Sequence, residues 1–183
     1  MKILILTGDG AEALEVMYPL QRCQEAGHEP IVAAPQKKHI GTVVHDFEPG
    51  FDTYTEKAGY RVEAAEDFSS VSPGDYGALI IPGGRAPEWI RNSRHCLEIV
   101  RAFFEAEKPV AAICHAALIL TAAGVVKGRT MTAYPELKPD VELAGATFQD
   151  QEVVVDGHLV TSRAWPDHPA FMREFLKLVA KAE

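Results

Sequence analysis

Cys114 ends the apolar run Val110-Ala-Ala-Ile113 and is followed at once by His115 and the helix-like Ala116-Ala-Leu-Ile-Leu120. Strand, sharp turn, helix is the pattern of an elbow that lifts a nucleophile above the carboxyl end of a strand. Backbone N–H groups and a helix N-terminus then lie beside it, and a thiol so placed is expected to have a lowered pKa. The same position suits a small buried hydrophobe equally well, since free cysteine is among the most buried residue types. Cys23 falls on the apolar stripe of one helix and Cys96 opens another, so both read as core. Gly83 and Gly84, in Pro82-Gly-Gly-Arg85, follow a second strand end, where α/β proteins place ligands and a backbone N–H can serve an oxyanion. Glycines also simply permit strand-to-helix turns. Glu12, in Asp9-Gly-Ala-Glu12-Ala-Leu-Glu15, and Glu88, in Arg85-Ala-Pro-Glu88, each enter a helix, where an acid complements the helix dipole as readily as it serves a reaction.

The elements that must position these residues follow from periodicity. Lys2 to Thr7 is a short apolar strand ending in Gly8-Asp-Gly10, and Leu14, Met17, Leu20 and Cys23 give helical spacing over Ala13 to Ala26. Gly27 caps that helix, and Pro30-Ile-Val-Ala-Ala-Pro35 supplies a strand buried on both faces. Ala78 to Pro82 and Pro109 to Cys114 repeat the strand pattern around a helix from Arg94 to Glu107. This alternation predicts an α/β fold with a doubly wound, mostly parallel sheet flanked by helices. Glu152-Val-Val-Val-Asp-Gly-His-Leu-Val-Thr-Ser162 reads as a C-terminal β-hairpin turning at Asp156-Gly157. A last helix from His168 to Lys181 docks through Phe171, Phe175, Leu176 and Val179. Residues 36–60 read as an elaborated loop or edge insertion, whose His39, His45, Asp46 and Asp52 show no fixed ligand spacing and are taken as solvated surface rather than a metal site.

Composition bounds the function. The chain has 183 residues, 47% apolar and 24% charged, which is enough for a sizeable core in one domain. Eighteen Lys+Arg against 26 Asp+Glu leave a formal charge of −8 and no basic field for a nucleic-acid backbone. No uninterrupted apolar stretch is long enough to span a membrane, and Met1-Lys2 runs directly into the first strand without a signal-peptide pattern, which predicts a cytoplasmic protein. Three cysteines without a CxxC pair argue against a disulfide framework and a structural zinc site.

Five blocks in order resemble the ThiJ/PfpI family, the DJ-one superfamily. They are Thr7-Gly-Asp-Gly-Ala-Glu12-Ala-Leu-Glu15, Pro82-Gly-Gly-Arg-Ala-Pro-Glu88, Lys108-Pro-Val-Ala-Ala-Ile-Cys-His115, Lys127-Gly-Arg-Thr-Met-Thr-Ala-Tyr-Pro135 and Glu152-Val-Val-Val-Asp-Gly157 with Val160-Thr-Ser-Arg163. Cys114 followed by His115 is similar to the protease-like and bacterial stress-protein branch. The resemblance covers nearly the whole chain as a single domain, residues 1–183, and implies a flavodoxin-like fold of the class I glutamine-amidotransferase type.

By this resemblance Cys114 matches the nucleophile, Glu12 the buried acid that hydrogen-bonds its sulfur, and His115 the histidine beside it. Glu88 matches a glutamate that orients the histidine of a neighbouring subunit, so a homo-oligomer is implied. Gly84 and the His115 backbone N–H match oxyanion donors, and Tyr134 lines the substrate mouth. An acid in the role of Glu12 must carry a proton to donate to a thiolate, so it titrates abnormally, and it would stabilise an oxidised Cys114. The implied function is a cysteine-dependent enzyme acting on small reactive carbonyls, glyoxalase- or deglycase-like, through a hemithioacetal on Cys114. Alternatives are an intracellular cysteine peptidase or amidase using Cys114, His115 and Glu88 on peptides, and a non-enzymatic oxidative-stress sensor. No cofactor, metal, nucleic acid or membrane partner is implied. The chain departs from the branch at Ala116-Ala117-Leu118, where Gly-Pro is usual, and at Trp165 and His168.

Overall fold

A computed structural model describes residues 1–182. Its main sheet has seven strands: β1 (Lys2–Leu6), β2 (Glu29–Ala34), β5 (Glu66–Asp67), β6 (Ala78–Ile81), β7 (Val110–Ile113), β10 (Val153–Asp156) and β11 (Leu159–Ser162). Their spatial order is β10-β11-β7-β6-β1-β2-β5. Every neighbouring pair is parallel except β10 with β11, the predicted hairpin, in which Asp156 pairs with Leu159 across the turn at Gly157. The central strands are short apolar runs buried along their whole length, as strands covered on both faces must be.

The helices are α1 (Ala13–Glu25), α2 (Ala86–Ile90), α3 (Arg94–Glu105), α4 (Ala117–Ala123), α5 (Lys138–Leu143) and α6 (His168–Ala182). From β1 the chain crosses to β2 on one side, and from β6 to β7 on the other. Right-handed crossovers running in opposite directions put α1 and α3 on opposite faces. Phe103 of α3 and Phe171 and Phe175 of α6 are fully buried, so the terminal helix is part of the core. Gly27, with φ +83°, ends α1 as expected: its N–H and that of His28 return to the carbonyls of Gln24 and Cys23. Among the described residues no helix is long and apolar enough to cross a membrane.

Residues 36–60 depart most from expectation. Most of them belong to an antiparallel pair, β3 (Lys38–Asp46) with β4 (Thr55–Ala64), which forms its own two-stranded sheet. A short parallel pair, β8 (Thr130–Met131) with β9 (Thr147–Phe148), lies elsewhere. The β3–β4 arm hides from a hydrophobicity reading because β4 is mostly solvent-facing and therefore polar on both faces. It is fastened to the loop after β1: Val43 donates to the Ala11 carbonyl and Gly10 to that of Gly41, both at 2.8 Å.

Because β1, β6 and β7 are parallel neighbours, their carboxyl ends share one edge of the sheet. That edge gathers Glu12, Gly83, Gly84 and Cys114 beside the position where the strand order reverses, between β1 and β6, which is where open α/β sheets bind ligands.

Candidate active site

Cys114 leaves β7 with φ +59°, a left-handed conformation that a residue with a Cβ adopts only under constraint, at a cost of about 1–3 kcal/mol. A short 3₁₀ turn, Cys114–Ala116, leads into α4. This is the elbow expected from sequence, and it directs the thiol across to the β6–α2 turn. There only glycine fits. A Cβ on Gly83 would stand 2.6 Å from the Cys114 Cβ and 2.6 Å from Glu15 Oε2, and one on Gly84, at φ +71°, would stand 2.3 Å from the Glu12 nitrogen. The backbone N–H groups of Gly84 and His115 lie close enough to the Cys114 sulfur to favour its thiolate form.

The acid against the sulfur is Glu15, not Glu12. Glu15 is fully buried; one carboxyl oxygen accepts the Gly83 N–H at 2.8 Å, and the carboxyl lies close enough to the Cys114 sulfur for each group to shift the other's pKa. Glu12 has extended, non-helical backbone and caps α1, its carboxyl accepting the Glu15 N–H at 2.8 Å. The expectation for Glu12 is corrected because a cap residue turns its side chain back along its own helix. The first-turn residue three positions on faces the sheet edge. Burial raises the pKa of Glu12; burial, then the nearby Glu12 carboxyl, pushes Glu15 well above the ordinary carboxylate range, which favours the protonated acid there.

Burial also pushes the Cys114 thiol up, and a charge on Glu15 would push it further, while the Gly84 and His115 N–H groups act in the opposite sense. The lowering expected of an elbow thiol is therefore outweighed by desolvation. A proton on Glu15 removes the repulsion and leaves two N–H donors to stabilise any thiolate that forms. Cys23 and Cys96 are fully buried, and desolvation drives each to about 12, as suits core residues.

His115 Nδ1 lies 3.2 Å from Cys114 Sγ. Burial first, and then charge on His45, lower the His115 pKa to about 4, with Asp140 acting in the other direction, so the ring is neutral at neutral pH. A neutral imidazole in contact with a thiol can accept its proton. The ring is clamped: Tyr134 stacks on it at 5.0 Å between centroids and Tyr54 meets it edge-on at 6.0 Å. Tyr54 and His45 come from the β3–β4 arm and were absent from the sequence-derived site. The signal was a run of rings, His45, Phe47, Phe51 and Tyr54, within ten residues, which becomes meaningful only once the arm folds over the elbow. A cleft of about 420 Å³ opens beside Tyr134, bordered by Phe47, Phe51, Glu136 and Arg163.

Glu88 is exposed on α2 beside Trp89, itself 78% exposed, and the structure does not bring it to His115 of its own chain.

Fold and site together define a doubly wound α/β protein with a buried cysteine on an elbow, paired to a histidine and an acid. The chain belongs to the DJ-1/PfpI family, whose model matches residues 1–178. It is 46% identical to the protein named Deglycase TK1284 of Thermococcus kodakarensis, over 98% of this chain and 99% of that one. It is 44% identical to Protein DJ-1 homolog D of Arabidopsis thaliana over 97% of this chain, which spans only 47% of the plant protein. Among solved structures it resembles a two-domain protein of Anabaena variabilis containing DJ-1/ThiJ/PfpI-like and ferritin-like domains. The TM-score there is 0.85 at 26% identity, covering 96% of this chain and 47% of that one.

Proposed function

We propose that this protein is a cysteine-dependent enzyme acting on reactive carbonyls, converting methylglyoxal-type dicarbonyls to hydroxy acids or removing their early adducts from amines and thiols. The observation that carries this reading is the Cys114 sulfur 3.2 Å from a neutral imidazole. The name of the Thermococcus relative, a deglycase, supports the substrate class.

In this reading His115 takes the thiol proton as sulfur adds to the aldehyde carbon, and the resulting oxyanion is held by the Gly84 and His115 N–H groups until it is protonated to a hemithioacetal. His115 then moves a proton from the former aldehyde carbon to the neighbouring one through an enediol, giving a 2-hydroxy thioester with no external oxidant or reductant. Water hydrolyses the thioester, releases the acid and restores the thiol. Glu15, protonated, donates to the sulfur. Tyr134 lines the mouth, and the cleft beside it takes the remainder of a larger substrate. No step calls on a cofactor. We further propose that copies associate through the face carrying Trp89, so that Glu88 of one subunit reaches the site of another.

The test is purified wild type beside Cys114→Ser, assayed for methylglyoxal consumption with D- and L-lactate detection, for release of glycated amines, and for cleavage of a fluorogenic peptide. The expected result is carbonyl turnover reduced at least a thousandfold by the substitution, with no peptide hydrolysis. Peptide cleavage that depends on Cys114 would replace this reading with the peptidase, and inactivity in all assays would favour the sensor.

A further inference from the structure

His45 is a polar side chain on the buried face of β3, in line with Val43, while the paired strand β4 is largely solvent-facing. Its Nε2 lies 2.9 Å from Glu56 Oε2, and both Glu56 oxygens accept from Arg85 Nε, at 3.0 and 2.8 Å. The Arg85 hydrogen bond, ahead of the one from His45, holds Glu56 below its ordinary range, so an ionised carboxylate faces the ring. From the other side the His45 backbone N–H lies near enough to Glu12, the residue that caps the helix bearing Glu15, to favour its ionised form. The imidazole packs on Tyr54 at 4.2 Å between centroids, with Trp165 behind it at 6.5 Å, and Tyr54 in turn meets both His115 and Tyr134 edge-on. A continuous path of contacts thus runs from Arg85 through Glu56, His45 and Tyr54 to the histidine beside the nucleophile.

We propose that the β3–β4 arm is part of the catalytic centre, with His45 a positioning residue that sets the orientation and charge of the His115 ring, and Glu56 and Arg85 holding His45 in place. This rests on the reading that His115 serves Cys114. The groups facing His115 are the Cys114 thiol, the phenols of Tyr54 and Tyr134, His45, and Asp140 from α5. Those facing His45 are Glu56 and Tyr54, with the Glu12 carboxyl near its backbone N–H. Positive charge on the His45 ring opposes imidazolium at His115, which keeps that ring neutral and able to take the thiol proton. Asp140 alone among these groups acts the other way. A role in packing alone would leave the titration of His115 untouched by a polar replacement of His45.

The experiment is an NMR titration of the His115 ring, its signals assigned by their loss in His115→Gln, in the wild type, His45→Gln and Glu56→Gln, with circular dichroism confirming that each variant is folded. His45→Gln is expected to raise the His115 pKa by about one unit, and Glu56→Gln to raise it by less. The acid limb of the pH profile of Cys114 alkylation by iodoacetamide is expected to move by the same amounts. An unchanged titration in folded His45→Gln overturns the inference. Neither readout needs a substrate, so both report on the arm even if the carbonyl reading fails, and Cys114→Ser tests that reading separately. Glu56→Gln, with an exposed edge and little packing to lose, keeps the test decisive if His45→Gln does not fold.

Discussion

Cys114 and Glu15 form a mutually dependent pair. The cysteine sits in a left-handed conformation held by the close approach of Gly83, and Glu15 reaches the same spot by accepting the Gly83 N–H. Glu15→Gln keeps an acceptor for Gly83 and an N–H donor for the sulfur, so turnover is expected to stay within about tenfold of wild type. Glu15→Ala strands the buried Gly83 N–H and opens a cavity, and is expected to cost about 2–4 kcal/mol in denaturant unfolding and at least a hundredfold in turnover. Equal loss in both variants would show that the titrating proton of Glu15, rather than its hydrogen-bond geometry, is what matters. The elbow and its histidine were legible in the sequence because strand, cysteine and helix are contiguous there. The choice between Glu12 and Glu15 was not, since both acids open α1 and lie three residues apart. It depends on which of them is the cap, and on the β6–α2 turn arriving from 68 residues away.

At the scale of elements, the β3–β4 arm is what a hydrophobicity reading misses, and with the loop joining its strands it sets His45 and Tyr54 behind the His115 ring. Its register shifts between Gly41 and Val43, and Gly59 packs against the bulge: a Cβ there would lie 2.6 Å from Thr42 Oγ1 and 3.1 Å from the Thr42 carbonyl carbon. Thr42 Oγ1 is already committed, donating to the Tyr60 carbonyl at 2.6 Å. Gly59→Ala is therefore expected to destabilise by about 1–3 kcal/mol and to lower turnover by disturbing His45 and Tyr54, while Gly74→Ala, with open space around it, leaves both unchanged. Thermal unfolding and steady-state rates on the two variants check this. Gly59→Ala with wild-type turnover would separate the arm from the chemistry. The parallel strands, by contrast, announce themselves: a run of four or five buried apolar residues such as Ala78–Ile81 fits only a strand covered on both faces.

For the whole molecule, proton linkage and assembly are the measurable consequences. His115 and His168 are both lowered to about 4, chiefly by burial, from an ordinary 6.5. The unfolded chain binds more protons between those values, so stability present above about pH 6.5 is lost as the pH falls toward 4, by on the order of 3 kcal/mol per histidine. Glu15 works in the opposite direction: its raised pKa means the folded state keeps a proton the unfolded state releases, and stability is lost as pH rises through that window. Urea unfolding between pH 4 and 7 should accordingly show stability rising with pH, and rising more steeply in Glu15→Gln. A slope unchanged by that substitution would mean Glu15 is ionised in the folded protein. Assembly is tested by sedimentation and turnover of Glu88→Gln: an intact oligomer about tenfold slower per subunit supports the shared site, and a full-rate oligomer refutes it.

What the sequence determined by itself was the order and kind of the parallel core, the hairpin at Asp156-Gly157, the docked C-terminal helix and the Cys114–His115 elbow. Each is written within a dozen or so consecutive residues, by periodicity, turn chemistry or direct adjacency. Tertiary structure alone decided which glutamate meets the sulfur, that desolvation outweighs the elbow's lowering of the thiol pKa, and that Tyr54 stands against His115 with His45 behind it. These depend on how segments distant in the chain meet at one sheet edge, on side-chain direction and on burial, none of which spacing along the chain encodes.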